Sequence, residues 1–329
     1  MKQDAENSIP VLLDFEKKKL GKLHEKITTL HNRSLKKPLN TKDRQRFYDL
    51  SKEMNEKLAE IYSNLDNWKK TQVARHPERP YTLDYIKYIF DDFIELHGDR
   101  GVGDDCAIIG GFASLDDGQT VMVVGHQKGR NTDENIKRNF GMAQPEGYRK
   151  ALRLFRLAEK FGKPIVTFVD TPGAYPGITA EKRGQGEAIA KNIKEMFSLT
   201  VPSISFIIGE GGSGGALALA VTNVVYMLEH SIYSVISPES CASILWRDAA
   251  FREEAANALK NDAQTAKSLK IIEDFIKEPM GGAHRDHQQM AQSVKKVLKK
   301  ELAKYNSFSK KKIVKKRIER FREIGVFGK

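Results

Sequence analysis

The stretch FIIGEGGSGGALALA at residues 206–220 holds the residue types best suited to chemistry. An apolar run stops at a cluster of glycines, and a small-residue helical pattern follows at once. Three chemistries compete for it. Gly209, Gly211 and Gly214 match G-x-G-x-x-G between a strand and a helix, with Glu229 placed where a ribose-binding acid belongs. Gly211, Ser213 and Gly215 match G-x-S-x-G, a nucleophile turn. That reading needs a later acid, Glu229 or Asp248, and a later base, His284 or His287. The plain alternative is that Ser213 caps the helix. The third chemistry needs no side chain. A helix N-terminus presents unpaired N–H groups and partial positive charge, and glycine lets a substrate oxygen approach them. Two such amides can hold a developing oxyanion, each worth roughly 3–4 kcal/mol. Close helix–strand packing also uses glycine, but explains one or two better than five.

Other candidates are thinner. His126, Lys128 and Arg130 form a polar cluster after a strand, suited to a phosphate, a partner or plain solvation. His284 and His287 are three apart but lack companions with zinc-like spacing, so no metal site is expected.

The elements that must position these residues follow from pattern. Residues 11–75 read as a helical hairpin, with Leu13, Leu20 and Ile27 seven apart and Leu23 and Leu30 between them. Asn40, three residues before Asp43, starts the second helix, whose stripe runs through Phe47, Leu50, Met54, Ile61, Leu65 and Trp68. Pro77 and Pro80 mark a boundary. A short helix is expected over 82–96. Strands follow at 107–113 and 120–125, turned by Asp116, Asp117 and Gly118. Then come a helix at 145–161, a fully apolar strand at 164–169, a rigid loop at 170–177 and a helix at 184–198. A strand at 203–208, the glycine stretch, a helix at 214–222 and a strand at 224–227 complete the repeat, and a polar crossover begins near Pro238. This is an α/β core of short β-α units. The chain divides into a hairpin at 1–75, a core at 76–295 and a basic helical extension at 296–329. In the extension Ile313, Ile318, Phe321 and Ile324 form one apolar face that docks onto the core or a partner.

Composition narrows the class. A hydrophobic fraction of 40% supports a real core, and two cysteines cannot build a disulfide scaffold or a four-thiolate zinc site. No run approaches the roughly 20 apolar residues of a membrane span, and MKQDAENSIP lacks a signal core. A cytoplasmic protein is expected. The net charge of +12 gathers at the ends and reads as solvated helix faces. Contact with nucleic acid is possible on charge, yet no aromatic-basic interleaving predicts it.

Eight segments together carry a family resemblance: RHPERPYTLDYI, ELHGDR, GHQKGR, NFGMAQPEGYRKALRL, FVDTPGAYPG, IGEGGSGGALALA, YSVISPESCASILW and EPMGGAHRD. Spanning about 75–287, they resemble the alpha subunit of bacterial acetyl-coenzyme A carboxylase carboxyltransferase. The resemblance implies a crotonase-like superhelix of β-β-α turns, with the N-terminal helical hairpin and a C-terminal helix added. It implies an α2β2 assembly with a beta subunit that carries a zinc ribbon, so no metal in this chain. The reaction implied moves CO2 from carboxybiotin, on a biotin carboxyl carrier protein, to acetyl-CoA, giving malonyl-CoA for fatty acid biosynthesis. ATP is used by the separate biotin carboxylase.

The resemblance and the glycine chemistry then meet. Loss of CO2 leaves negative charge on the biotin ureido oxygen, and the ureido nitrogen can take a proton from the acetyl methyl group. The family places the amide pair for that oxygen on alpha. Gly214 and Gly215 are the expected pair, with Gly211 and Gly212 in their place if the helix begins earlier. Gly173 and Ala174 line the same pocket for substrate, or form only a rigid turn. Gly215→Val is expected to abolish transfer with the fold largely intact. A noncatalytic partner-binding scaffold would instead fail to assemble, and a nucleotide-binding oxidoreductase is the remaining alternative.

Overall fold

A computed structural model describes residues 9–325. The outer ends of the hairpin and of the extension, 1–8 and 326–329, lie outside the described residues.

The hairpin is α1 (Asp14–Lys36) and α2 (Thr41–Tyr62). Leu20, Leu23 and Ile27 meet Met54 and Leu58 in its own small core. The Asn40 side chain accepts from the Asp43 amide at 2.8 Å, as an N-cap should. The hairpin is tied to the rest of the chain by polar contacts. Buried Glu16, which also takes Tyr62 Oη of α2 at 3.0 Å, accepts from Arg285 Nη2 at 3.3 Å, and Val11 N donates to Glu78.

Next come α3 (Asn67–Ala74), α4 (Thr82–Ile89) and β1 (Asp91–Glu95). The helix expected over 82–96 thus stops at Ile89. Residues beyond it pair antiparallel with β2 (Ile108–Ser114), and strand pairing overrides local propensity. β3 (Thr120–His126) pairs antiparallel with β2. After α5 (Thr132–Lys137) and α6 (Pro145–Lys160), β4 (Ile165–Thr171) enters the sheet parallel to β3 and is buried throughout. α7 (Ile178–Lys182) and α8 (Gln185–Ser198) lead to β5 (Ser203–Gly212), α9 (Ser213–Ala220), β6 (Val224–Leu228) and β7 (Ile232–Ser234). The chain closes with α10 (Pro238–Leu245), α11 (Arg252–Leu259), α12 (Ala263–Ser268), β8 (Asp274–Ile276), α13 (His287–Asn306) and α14 (Lys310–Arg322). α13 runs unbroken across the 295/296 division drawn from the sequence.

The sheet order is β1-β2-β3-β4-β5-β6-β8, with β7 also on β5. Strands from β3 to β8 are parallel, so both faces need cover. One face carries a core from α6, α8 and α9, including Tyr148, Phe155 and Met196. The other packs α4 and α13 over a row of stacked rings, Tyr85, Phe168, Phe206 and Tyr226, with centroids 5.2–6.1 Å apart.

The C-terminal face differs from its expectation. Ile313 is buried and Phe321 meets Phe197 edge-on at 5.1 Å, but Ile318 is 37% exposed. Buried Arg317, one residue before Ile318, takes the contact that the apolar pattern assigned to it.

Candidate active site

The parallel strands β4 and β5 end side by side, and their last residues build the site. β5 does not stop at Ile208, where its apolar run ends. It continues through Gly212, because Gly211 pairs with Thr171 of β4 and with Tyr233 of β7. Between the pairs Val169–Ile207 and Thr171–Gly211, β4 advances two residues and β5 four. Such a bulge bends a strand and re-aims the residues beyond it.

The glycines have separate reasons. A Cβ on Gly212 would lie 2.2 Å from the Pro172 carbonyl oxygen, so the two chains touch only without a side chain. Gly211 would drive one into the Tyr233 ring. Ser213 then turns strand into helix at a φ of 50°, a costly conformation for a residue with a side chain. α9 begins there, so Gly214 and Gly215 lie in its first turn and Gly212 is the N-cap. No side chain caps this helix, and its first turn holds no acid. Its positive end is left to whatever enters the site.

Gly173 and Ala174 come to the same place. Thr171 Oγ1 donates to the Gly173 carbonyl at 2.7 Å and accepts from its amide at 3.1 Å, which shapes the turn after β4. A Cβ on Gly215 would sit 2.8 Å from Ala174 N, 2.9 Å from Gly173 C and 2.9 Å from Tyr148 Oη. Gly214 has room, with Ile189 at 3.4 Å. The fold therefore brings Gly173, Ala174, Gly212 and Gly215 together, with Gly214 beside them. Gly211 faces away toward Tyr233. The same contacts correct one expectation. Valine at 215 would strike backbone atoms, so it disturbs the fold as well as the pocket and does not separate an enzyme from a scaffold.

Behind the glycines lies a charged network that sequence reasoning missed. Lys128 Nζ binds Asp170 Oδ1 at 2.7 Å and Glu210 Oε2 at 3.2 Å. Arg75 Nε binds Glu210 Oε1 at 2.6 Å, and its Nη1 binds Glu239 Oε1 at 2.6 Å. The Glu210 amide donates to Asp170 Oδ1 at 2.9 Å. Burial would raise the Glu210 carboxyl, but Lys128 and Arg75 outweigh it and hold the pKa below the usual range. The signal was a lone acid inside an apolar and glycine strand. A buried acid there requires a cation.

The polar cluster after β3 is therefore not a solvated loop. Lys128 is committed to two carboxylates. Arg130 donates to the carbonyls of Pro77 and Arg79 and pairs with Asp84. His126 is fully buried with both ring nitrogens unpartnered, and burial pushes its pKa down to about 3.

The competing readings lose their partners. Glu229 accepts from the Glu278 amide at 3.1 Å. Asp248 caps a short turn at Ala250. His284 is buried, stacked 3.7 Å from His76, with neither ring nitrogen hydrogen-bonded, and His287 Nε2 pairs with the Glu78 carbonyl oxygen. None of them reaches Ser213. Gly209 and Gly211 are strand residues rather than the tight turn of a dinucleotide fingerprint. Among the described residues, no group of three or more His, Cys, Asp or Glu is placed to hold a metal.

Known proteins of similar sequence and fold place the chain in a family. The model of the family described as acetyl co-enzyme A carboxylase carboxyltransferase-like matches residues 12–325. The acetyl-coenzyme A carboxylase carboxyl transferase subunit alpha of Geobacter metallireducens is 57% identical over 279 residues, covering 85% of this chain and 87% of that one. A Pseudomonas malonate decarboxylase hetero-tetramer chain superposes with a TM-score of 0.54 at 18% identity, over 67% of this chain and 89% of that chain. A transcarboxylase 12S chain gives 0.53 at 21% identity, over 67% of this chain. This chain spans only 42% of that longer one. The fold is crotonase-like. With the glycine motifs and most of its length matched, the chain belongs to the acetyl-coenzyme A carboxylase carboxyltransferase alpha-subunit family.

Proposed function

We propose that the amides of Gly214 and Gly215 hold the ureido oxygen of carboxybiotin while its carboxyl group moves to acetyl-CoA. The observation that carries this reading is the uncapped, acid-free N-terminus of α9 facing Gly173 and Ala174. The group fits the residues present, since no side chain caps the first helical turn and Gly214 leaves room there for a ligand oxygen. When bound, carboxybiotin supplies CO2 and keeps the electron pair of the broken C–N bond. The α9 amides donate where that negative charge gathers, and they need no reorganisation to do so. Gly173 and Ala174 wall the pocket and limit water. Gly211 and Gly212 set the strand end rather than donate.

The wider setting is part of the same reading. The carboxyl donor arrives on a biotin carboxyl carrier protein, and ATP is spent by the biotin carboxylase. A beta subunit with a zinc ribbon supplies the acyl-CoA side in an α2β2 assembly. The product, malonyl-CoA, feeds fatty acid biosynthesis in the cytoplasm. Among the described residues, no helix is long and apolar enough to cross a membrane.

The test is carboxyl transfer in reverse, from malonyl-CoA to free biotin, with the chain alone and with a coexpressed beta partner. Transfer only with the partner is expected. A complex that forms but never transfers would replace this reading with a scaffold.

A further inference from the structure

We propose that Arg75 is a positioning residue for the oxyanion amides, acting through Glu210 on the bulge of β5. The inference rests on the function proposed above and names a residue outside the glycine pocket that governs it. The bulge is where β5 changes neighbours, from β6 at residues 204–207 to β7 at 210–212. Its direction sets where Gly212 ends and where α9 starts. Asp170 fills it. Gly209 is glycine because a Cβ there would lie 2.5 Å from Asp170 Oδ1, and that same oxygen accepts the Glu210 amide and the Lys128 ammonium. Lys128 returns to the Glu210 carboxylate and closes a ring of backbone, acid, cation and acid.

Arg75 anchors this ring from outside. It is the C-cap of α3, and its guanidinium joins Glu210 to Glu239 on α10, with Nη2 to Glu239 Oε2 at 3.3 Å. A narrow crevice lined by Arg75, Pro172, Glu210, Gly211, Gly212 and Ser237 puts this anchor directly against the glycine strand. Without the guanidinium, Glu210 keeps a single cation, at 3.2 Å, and the bulge is free to shift. Displacement of a catalytic group by about 1 Å can cost on the order of 100-fold in rate.

The experiment uses the coexpressed complex and reverse transfer from malonyl-CoA to free biotin. Arg75→Met is expected to lower kcat about tenfold or more. The KM for malonyl-CoA should stay within about twofold, because uniform binding is untouched. Arg75→Lys should recover only part of the loss, since one ammonium cannot span Glu210 and Glu239 as the guanidinium fork does. Hydrogen exchange at the amides of residues 211–215 should quicken in Arg75→Met, a readout independent of turnover. Where Arg75→Met does not assemble, Glu239→Gln serves as a milder variant, with a smaller loss of kcat and the same exchange signature. Unchanged kcat per assembled complex, or unchanged exchange, would overturn the proposal. A wild-type complex with no transfer would sink the proposed function instead, and the exchange arm would still decide the role of Arg75.

Discussion

The two ends of β5 each hold a buried or half-buried arginine, and the two are held in opposite ways. At the start of the strand, Arg317 from α14 meets only neutral acceptors. It donates to the carbonyls of Met196, Leu199 and Val201, to Ser203 Oγ and to Asn223 Oδ1, at 2.6–3.1 Å. These acceptors include the C-terminal turn of α8, where the helix dipole favours a cation. Burial pushes the Arg317 pKa down to about 10, since no carboxylate contacts it to compensate. At the other end, Arg75 meets two carboxylates, and those acids hold its charge against burial. Carbonyl clamps seal an end that does nothing but fold. Paired charges close the end where, in the function proposed here, a strand must be aimed at a substrate. The same residue type thus separates stability from function along one strand.

That contrast can be broken from either side. The largest effect is expected at the site end. Gly212→Ala drives a methyl group into the Pro172 backbone and so disturbs the local fold as valine at 215 does; in whatever complex assembles, transfer should fall at least about 100-fold, the cost of a misplaced catalytic group. Near-normal turnover would show that the strand end tolerates movement. At the quiet end, Arg317→Met should remove about 1–3 kcal/mol of stability for each buried carbonyl it orphans, at Met196, Leu199 and Val201, read from denaturant melts. The transfer rate per folded molecule should stay as in the wild type. A kcat loss there, with stability intact, would erase the distinction between the two ends.

The smallest effect is a pH dependence. His76, His126, His230 and His284 are buried, and burial lowers each pKa below its usual value. His126 and His284, the two lowered furthest, stay neutral when folded, while the unfolded chain takes up protons below about pH 6.5. Stability is therefore complete above that value and falls as the pH drops toward about 3, where His126 itself titrates in the fold. Between pH 7.5 and 5.5 the loss should be about 1 kcal/mol each for His126 and His284. Thermal melts at the two values check it, and equal melting temperatures would mean that these rings titrate normally.

Much of the architecture is legible in residue pattern. β4 reads as a buried parallel strand because five apolar or β-branched residues precede Asp170, and α6 reads from its own proline start. The glycine stretch reads correctly as the passage from strand to helix, although Gly209 to Gly212 prove to be strand. What hides is whatever depends on distant pairing. β1 is helix-like in isolation and becomes a strand only because β2 offers an edge. The last residues of β5 are glycines with little strand propensity, held extended by β4 and β7. The network behind the site is assembled from Arg75, Lys128, Asp170, Glu210 and Glu239, which no sequence spacing connects. Each sits in or beside a segment that carries the family resemblance, yet only the fold shows that they meet.

The most direct test of the central claim removes one N–H donor and keeps every side chain. Glycolic acid in place of Gly214 exchanges that amide for an ester, and the open space around the residue means no other atom need move. The complex should form normally while reverse carboxyl transfer falls by about 100- to 1000-fold, the usual cost of one oxyanion donor. Gly214→Ala, which keeps the amide, should stay within about threefold of wild type, because its methyl group meets Ile189 only at ordinary contact distance. Full transfer by the ester variant would contradict the account and leave the first turn of α9 with a packing role alone.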